Sequence, residues 1–231
     1  MKLLLVEDDP EICGMLKKFL EKENFEIITA NDGEEACSKF RQETCDLVLL
    51  DLMLPKISGM DVLQQIRAQS TVPIIIMSAK DTDSDITLGL GLGADDYVTT
   101  PFSPLELVAR VNSQMRRYTK LGNAAESSKV FQSGGLAIND DLKSVSVDGE
   151  AVRLTPIEYN ILLLLVKNQG KVFSINQIYE NIWNEEAIGA DNTVAVHICH
   201  IREKIEINPK EPQYLKVVWG VGYKIEKIEP R

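Results

Sequence analysis

Five short apolar runs, Leu3–Val6, Phe25–Thr29, Leu47–Leu50, Val72–Met77 and Tyr97–Val98, recur through the first half of the chain with helical patterns between them. A strand that is apolar on both faces needs cover on both, and a helix after each strand supplies it. The first such helix opens at Pro10, and its apolar residues Ile12, Met15, Leu16, Phe19 and Leu20 keep one face. A last helical pattern runs from Ser103 to about Arg117. The pattern predicts a doubly wound α/β domain with a five-stranded parallel sheet and ligands at the carboxyl ends of the strands. Gly89, Gly91 and Gly93 each weaken the helical pattern before the fifth run by up to ~1 kcal/mol, and predict a short or mobile helix there.

The rhythm then changes. Tyr118–Lys129 is small and polar without apolar periodicity, and reads as a flexible linker. Beyond it, Gly135–Ile138, Ser144–Val147 and Ala151–Leu154 read as short strands separated by Asn139-Asp140-Asp141 and Asp148-Gly149 turns. Thr155 followed by Pro156 and Glu158 has the spacing of a capping box, and opens a helix that is apolar all round. Ser174–Trp183 and Asn192–Ile205 read as two further helices, and Tyr214–Ile225 as a hairpin around Trp219-Gly220-Val221-Gly222. This order predicts an α+β winged helix-turn-helix domain.

No apolar run approaches the roughly 18 residues that a membrane-spanning helix needs. The first apolar stretch turns acidic at Glu7-Asp8, too early for a secretory signal, so a cytoplasmic protein is expected. Cys13, Cys37, Cys45 and Cys199 are scattered, and free thiols are the expected state. The net charge of −10 disfavours a nucleic-acid partner at first sight, but it is uneven. Residues 1–121 carry 13 Lys/Arg against 20 Asp/Glu, whereas residues 128–231 carry 12 against 14. A near-neutral second half can still hold a basic patch.

Three carboxylates fall where predicted strands end: Glu7 and Asp8 after the first, Asp51 after the third. Adjacent strand ends converge in a doubly wound sheet, so the three would share a pocket and repel unless a divalent cation joins them. Oxygen-only ligands favour Mg2+ (or Mn2+), which accepts phosphate oxygens as well. Asp51 could then attack a phosphoryl donor, and Ser78 at the end of the fourth strand could donate to the product. Solvated loop caps are the competing reading of any one of these residues.

In the third helix of the second half, Val194, Ile198, Ile201 and Ile205 form a core-facing stripe. Thr193, His197, His200 and Lys204 keep the same spacing beside it and are expected to face outward, toward a DNA major groove. The two histidines lack a third ligand, and no metal site is expected there.

The blocks LLLVEDD, DLVLLDLMLP, IIIMSAK and GADDYVTTPF resemble receiver domains. TPIEYNIL, VAVHICHIREKI and VVWGVGY resemble the winged-helix effector of the OmpR/PhoB family of two-component response regulators. The resemblance covers essentially the whole chain. It implies a receiver over residues 1–119, a linker over 120–129 and an effector over 130–229. It makes Asp51 the phosphoacceptor of a sensor histidine kinase, with Mg2+ held by Glu7, Asp8, Asp51 and the backbone carbonyl of Met53. Ser78 and Tyr97 would be the switch pair. Asp96, Glu106 and Arg110 match the pattern of a receiver-mediated homodimer. Thr193, His197, His200, Arg202, Lys204, Tyr223 and Lys224 would meet promoter DNA, and RNA polymerase would be a further partner. No membrane partner and no enzymatic turnover of a separate substrate are implied.

The chain departs from this pattern in four places. Thr100 stands where the family has a lysine that reaches the phosphoryl oxygens, and a hydroxyl brings neither the charge nor the reach. Ile86 replaces the lysine that would pair with Glu106. Asn192, Cys199 and His200 replace common arginines, and Val217 replaces a phosphate-contacting threonine. Fewer cations imply weaker, less salt-dependent DNA binding. Thr100 keeps open a second reading, DNA binding independent of phosphorylation. A metal-dependent phosphatase or phosphotransferase and a protein-interaction module are readings from other classes; the recognition helix argues against the first.

Overall fold

The computed structural model describes residues 1–120, 130–183 and 191–229. It forms two compact units, Met1–Met115 and Arg116–Arg231.

The first unit alternates β1 (Lys2–Val6), α1 (Pro10–Lys22), β2 (Glu26–Ala30), α2 (Gly33–Gln42), β3 (Leu47–Asp51), α3 (Gly59–Arg67), β4 (Ile74–Ser78), α4 (Asp83–Gly91), β5 (Asp96–Thr99) and α5 (Pro104–Lys120). The strands pair in parallel in the order β2-β1-β3-β4-β5, as the apolar runs predict. Strand order reverses between β1 and β3, and that switch point is where the carboxyl ends open a crevice. Leu3–Val6, Leu47–Leu50 and Ile74–Met77 are buried along both faces. Helix starts are set by side chains: Asp9, Asp32, Ser58 and Thr82 each accept a backbone N–H from the first turn of the helix that follows. Such a cap contributes about 1 kcal/mol.

Among the boundaries that differ from the sequence reading, two have a local cause. β4 begins at Ile74 rather than Val72, because Pro73 has no N–H to give a ladder and offers only its carbonyl, to Val48. α5 runs to Lys120, so Tyr118–Lys120 are helical; the first helix breaker after Arg117 is Gly122. The rest of the expected linker, 121–129, lies outside the described residues. The glycines of α4 do not prevent a nine-residue helix. Gly89 has a packing reason: a Cβ there would lie 2.7 Å from Ile76 Cδ1 and 3.1 Å from the Tyr97 ring. Gly91 has none, since nothing lies within 4 Å of its would-be Cβ.

The second unit opens with β6 (Val130–Ser133), β7 (Leu136–Asn139), β8 (Ser144–Val147) and β9 (Glu150–Val152), an antiparallel sheet in chain order. Then follow α6 (Pro156–Lys167), α7 (Ile175–Trp183), α8 (Asp191–Ile205) and the hairpin β10 (Leu215–Val218) and β11 (Gly222–Ile225). The capping box at α6 is present in both directions: Thr155 N–H donates to Glu158 Oε2 at 2.8 Å, and Glu158 N–H to Thr155 Oγ1 at 3.4 Å. Leu162, Leu165, Ile178, Trp183, Ile198, Ile201 and Leu215 belong to one core that joins the helices to the hairpin. Phe173, in the loop before α7, exchanges two 2.9 Å backbone hydrogen bonds with Tyr223 and so forms a single antiparallel bridge beside β11. No described helix is long and apolar enough to cross a membrane.

Candidate acidic pocket and nucleic-acid interface

β1 and β3 are neighbours in register Val6↔Leu50, so Glu7, Asp8 and Asp51 emerge together at the switch point. One carboxylate oxygen from each lies within 4.8 Å of the other two. Glu7 is 6% exposed, Asp51 half-buried and Asp8 exposed. Burial, reinforced by the carboxylates of Asp51, Asp8 and Asp9, pushes Glu7 up to about 7, although the Asp9 N–H pulls the other way. Burial also raises Asp51, against the Met53 and Leu52 amides. A pocket of three oxygen donors that cannot all hold charge on their own matches what a hard divalent cation requires.

The β3–α3 loop is pressed against this pocket. A Cβ on Gly59 would meet Asp51 O at 2.1 Å, and one on Gly33 would meet Ile57 O at 2.2 Å, so both positions need glycine for close approach. Lys56 ties the loop to the start of α2 through Asp32 at 2.5 Å, and Met53 N–H donates to Asp51 Oδ1 at 3.2 Å.

Ser78 is buried at the end of β4, beside Asp51 in the sheet, where Asp51 pairs with Met77. Its Oγ accepts the Lys80 N–H at 3.3 Å. Tyr97 of β5 reaches the same residue from the other side, its hydroxyl donating to Lys80 O at 2.8 Å. Thr100 N–H donates to Ser78 O at 2.8 Å. Asp96, Glu106 and Arg110 converge within the one chain: the Arg110 guanidinium lies 3.1 Å from Asp96 Oδ2 and 3.1 Å from Glu106 Oε1.

In α8 the stripe Val194, Ile198, Ile201 and Ile205 is buried as expected. In the neighbouring stripe Thr193 and His200 are partly exposed and Lys204 is exposed, but His197 corrects the expectation that it faces outward. His197 is 1% exposed, with its ring 5.8 Å from Trp183. His200 Nδ1 lies 3.8 Å from Glu158 Oε1, and Lys204 Nζ lies 2.6 Å from Glu158 Oε2. Periodicity marks two flanks of an apolar stripe alike, and only the positions of α6 and α7 decide which flank is covered. The exposed residues on α8 are Asn192, Cys199, Glu203 and Lys204, with Thr193, Ala195, Val196, His200 and Arg202 partly exposed.

Arg202 turns to the hairpin. Its Nε donates to Leu215 O at 3.0 Å and its guanidinium carbon sits 5.9 Å from the Tyr223 ring centroid. Lys224 lies opposite Lys216 in the ladder and 3.0 Å from Glu226. Sequence reasoning placed Trp219 in the hairpin turn but gave it no role, and it is 88% exposed. The available signal was a bulky ring beside Gly220, at a turn with no residue to bury it.

Comparison with known proteins agrees with this arrangement. Residues 3–112 match the family model "Response regulator receiver domain", and residues 149–225 match "Transcriptional regulatory protein, C terminal". The chain is 48% identical over 223 residues to the transcriptional regulatory protein YcbL of Bacillus subtilis (strain 168), covering 96% of this chain and 99% of that one. It is 42% identical over 228 residues to the regulatory protein VanR of Enterococcus faecium, covering 98% and 99%. Among solved structures, a RitR mutant superposes with a TM-score of 0.76 at 25% identity, covering 98% and 99%. DrrB of Thermotoga maritima, described as an OmpR/PhoB homologue, gives 0.52 at 31% identity, covering 97% and 98%. A receiver unit with an acidic crevice, followed by a winged helix and matched end to end by transcriptional regulators, makes this chain a DNA-binding transcriptional response regulator of the OmpR/PhoB family of two-component systems.

Proposed function

We propose that phosphorylation of Asp51 by a sensor histidine kinase switches the protein, and that the cluster of Glu7, Asp8 and Asp51 carries this reading. Glu7, Asp8, Asp51 and the Met53 carbonyl would hold Mg2+ (or Mn2+). When bound, that ion offsets charge on the phosphoryl oxygens. Asp51 provides the attacking carboxylate at the mouth of the crevice, and buried Ser78 faces the product from β4. Tyr97 couples the pocket to α4, because its ring packs against Gly89 while its hydroxyl holds the β4–α4 loop at Lys80. The chemistry is a transfer onto the protein itself rather than turnover of a separate substrate.

The receiver is assigned to residues 1–119, the linker to 120–129 and the effector to 130–229. Homodimerisation through the receiver would use Asp96, Glu106 and Arg110, whose ion pairs within the chain would have to be shared or exchanged. Promoter DNA would be met by the exposed side of α8, Asn192, Thr193 and Cys199, with Tyr223 and Lys224 of the hairpin. RNA polymerase is the expected downstream partner, and the cytoplasm the expected compartment.

The test is incubation of the full chain with Mg2+ and acetyl phosphate, read by intact mass. A gain of one phosphoryl group (about 80 Da by mass arithmetic) that Asp51→Asn lacks supports the reading. No gain, with no change of oligomeric state on adding beryllofluoride, overturns it.

A further inference from the structure

We infer that Lys80 supplies the cation that Thr100 cannot, placing its ammonium against the phosphoryl group on Asp51. The inference rests on Asp51 as phosphoacceptor. A phosphoryl group brings nearly two negative charges into a pocket already lined by three carboxylates. Thr100 is fixed by its N–H to Ser78 O at 2.8 Å, and a threonine hydroxyl ends two bonds from its Cα.

Other cations of the receiver are held by partners. Lys56 is held by Asp32 and Glu34. Arg67 is held by Asp95 and by the carbonyls of Gly93 and Val72. Arg110 is held by Asp96 and Glu106. Lys80 is exposed, and among the described residues its ammonium makes no ion pair, although Asp81, Asp83 and Asp85 follow it closely.

Its backbone also lies beside Ser78. The Lys80 N–H lies 3.3 Å from Ser78 Oγ, so adding one N–Cα bond of about 1.5 Å puts its Cα within roughly 4.8 Å of that hydroxyl. A lysine stem of four methylenes reaches about 6 Å further. The peptide is held from both sides, by Ser78 Oγ through its N–H and by the Tyr97 hydroxyl through its carbonyl. Movement of the Lys80 ammonium toward the phosphoryl group would therefore act on the Ser78 and Tyr97 contacts at once. One residue would both answer the charge and transmit it.

In the step itself, an Asp51 oxygen attacks phosphorus, the bond from phosphorus to the acetate oxygen breaks, and acetate leaves with the electron pair. No proton moves in this step, and Lys80 pairs with the phosphoryl oxygens as they arrive.

The experiment follows phosphorylation of the full chain by acetyl phosphate with Mg2+, by intact mass, in wild type, Lys80→Met, Thr100→Lys and the double variant. Lys80→Met keeps the stem and removes the charge. It is expected to slow labelling by roughly tenfold or more. It should weaken beryllofluoride binding, followed by fluorine NMR, by a similar factor while leaving the melting temperature unchanged. Adding Thr100→Lys to Lys80→Met should restore both. Labelling of Lys80→Met at the wild-type rate overturns the inference, and so does a double variant that stays as slow as Lys80→Met. An unlabelled wild type, or equal labelling of Asp51→Asn, refutes the Asp51 reading itself, and the Lys80 inference falls with it.

Discussion

Lys204 of α8 places its ammonium 2.6 Å from Glu158, the carboxylate that closes the capping box of α6. Glu158 is almost wholly buried, and the pair ties α8 to the first helix of its domain. Removing the lysine leaves a buried carboxylate with only its cap hydrogen bond and a more distant histidine. Lys204→Ala is expected to lower unfolding free energy in urea by about 1–3 kcal/mol, the upper end being trimmed because the lysine is partly exposed. The salt dependence of DNA binding should stay at the wild-type slope. A slope shallower by about 0.9 would instead mark Lys204 as a phosphate contact.

Cys199 occupies the exposed side of the same helix, where a cation would face DNA. Cys199→Arg is expected to tighten binding to a promoter fragment and to steepen log K against log salt by about 0.9, one added phosphate contact. Fluorescence anisotropy at several salt concentrations measures both. His197→Ala, by contrast, opens the core beside Trp183 and should cost stability without changing base preference.

The raised Glu7 makes the metal-free receiver pH-sensitive. Its folded value of about 7 lies above the 4.5 of an unperturbed side chain, so between those values the folded state holds a proton that the unfolded state has lost. Stability must then fall as pH rises from about 4.5 to 7 and level off above. Thermal melts without metal should show this loss, Mg2+ should reverse it, and Glu7→Gln should remove that part of the slope. A metal-free profile unaltered by Glu7→Gln would contradict the assignment.

Two glycines of α4 should respond in opposite ways. Gly89→Ala forces a methyl to 2.7 Å from Ile76 Cδ1 and 3.1 Å from the Tyr97 ring, so it should destabilise the receiver and displace Tyr97. Gly91→Ala meets open space and should stabilise by up to about 1 kcal/mol. Denaturant melts compare the two directly.

What could be read in advance was what is local. The runs that become β1, β3 and β4 are buried on both faces, and Thr155, Pro156 and Glu158 cap a helix from three residues of each other. Glu7, Asp8 and Asp51 were legible as a set because strand order alone brings their termini together. β6 was missed because Ser133, which anchors it, is held by Glu226 and Ile228, more than ninety residues on. His197 was assigned to DNA because one helix cannot say which of its two polar flanks its neighbours will cover. Arg202 carried the same ambiguity: its partners Leu215 and Tyr223 belong to a hairpin whose position no spacing reveals.

The backbone exchange between Phe173 and Tyr223 means that the hairpin is not a separable module. Gly222 packs so closely on this bridge that a Cβ would fall 1.9 Å from Phe173 O. An engineer building chimaeric regulators by exchanging hairpins alone would leave that inner edge facing a foreign loop. The transplantable piece is the hairpin together with the segment before α7, and specificity grafts cut at Phe173 should be poorer folders than those that carry it along.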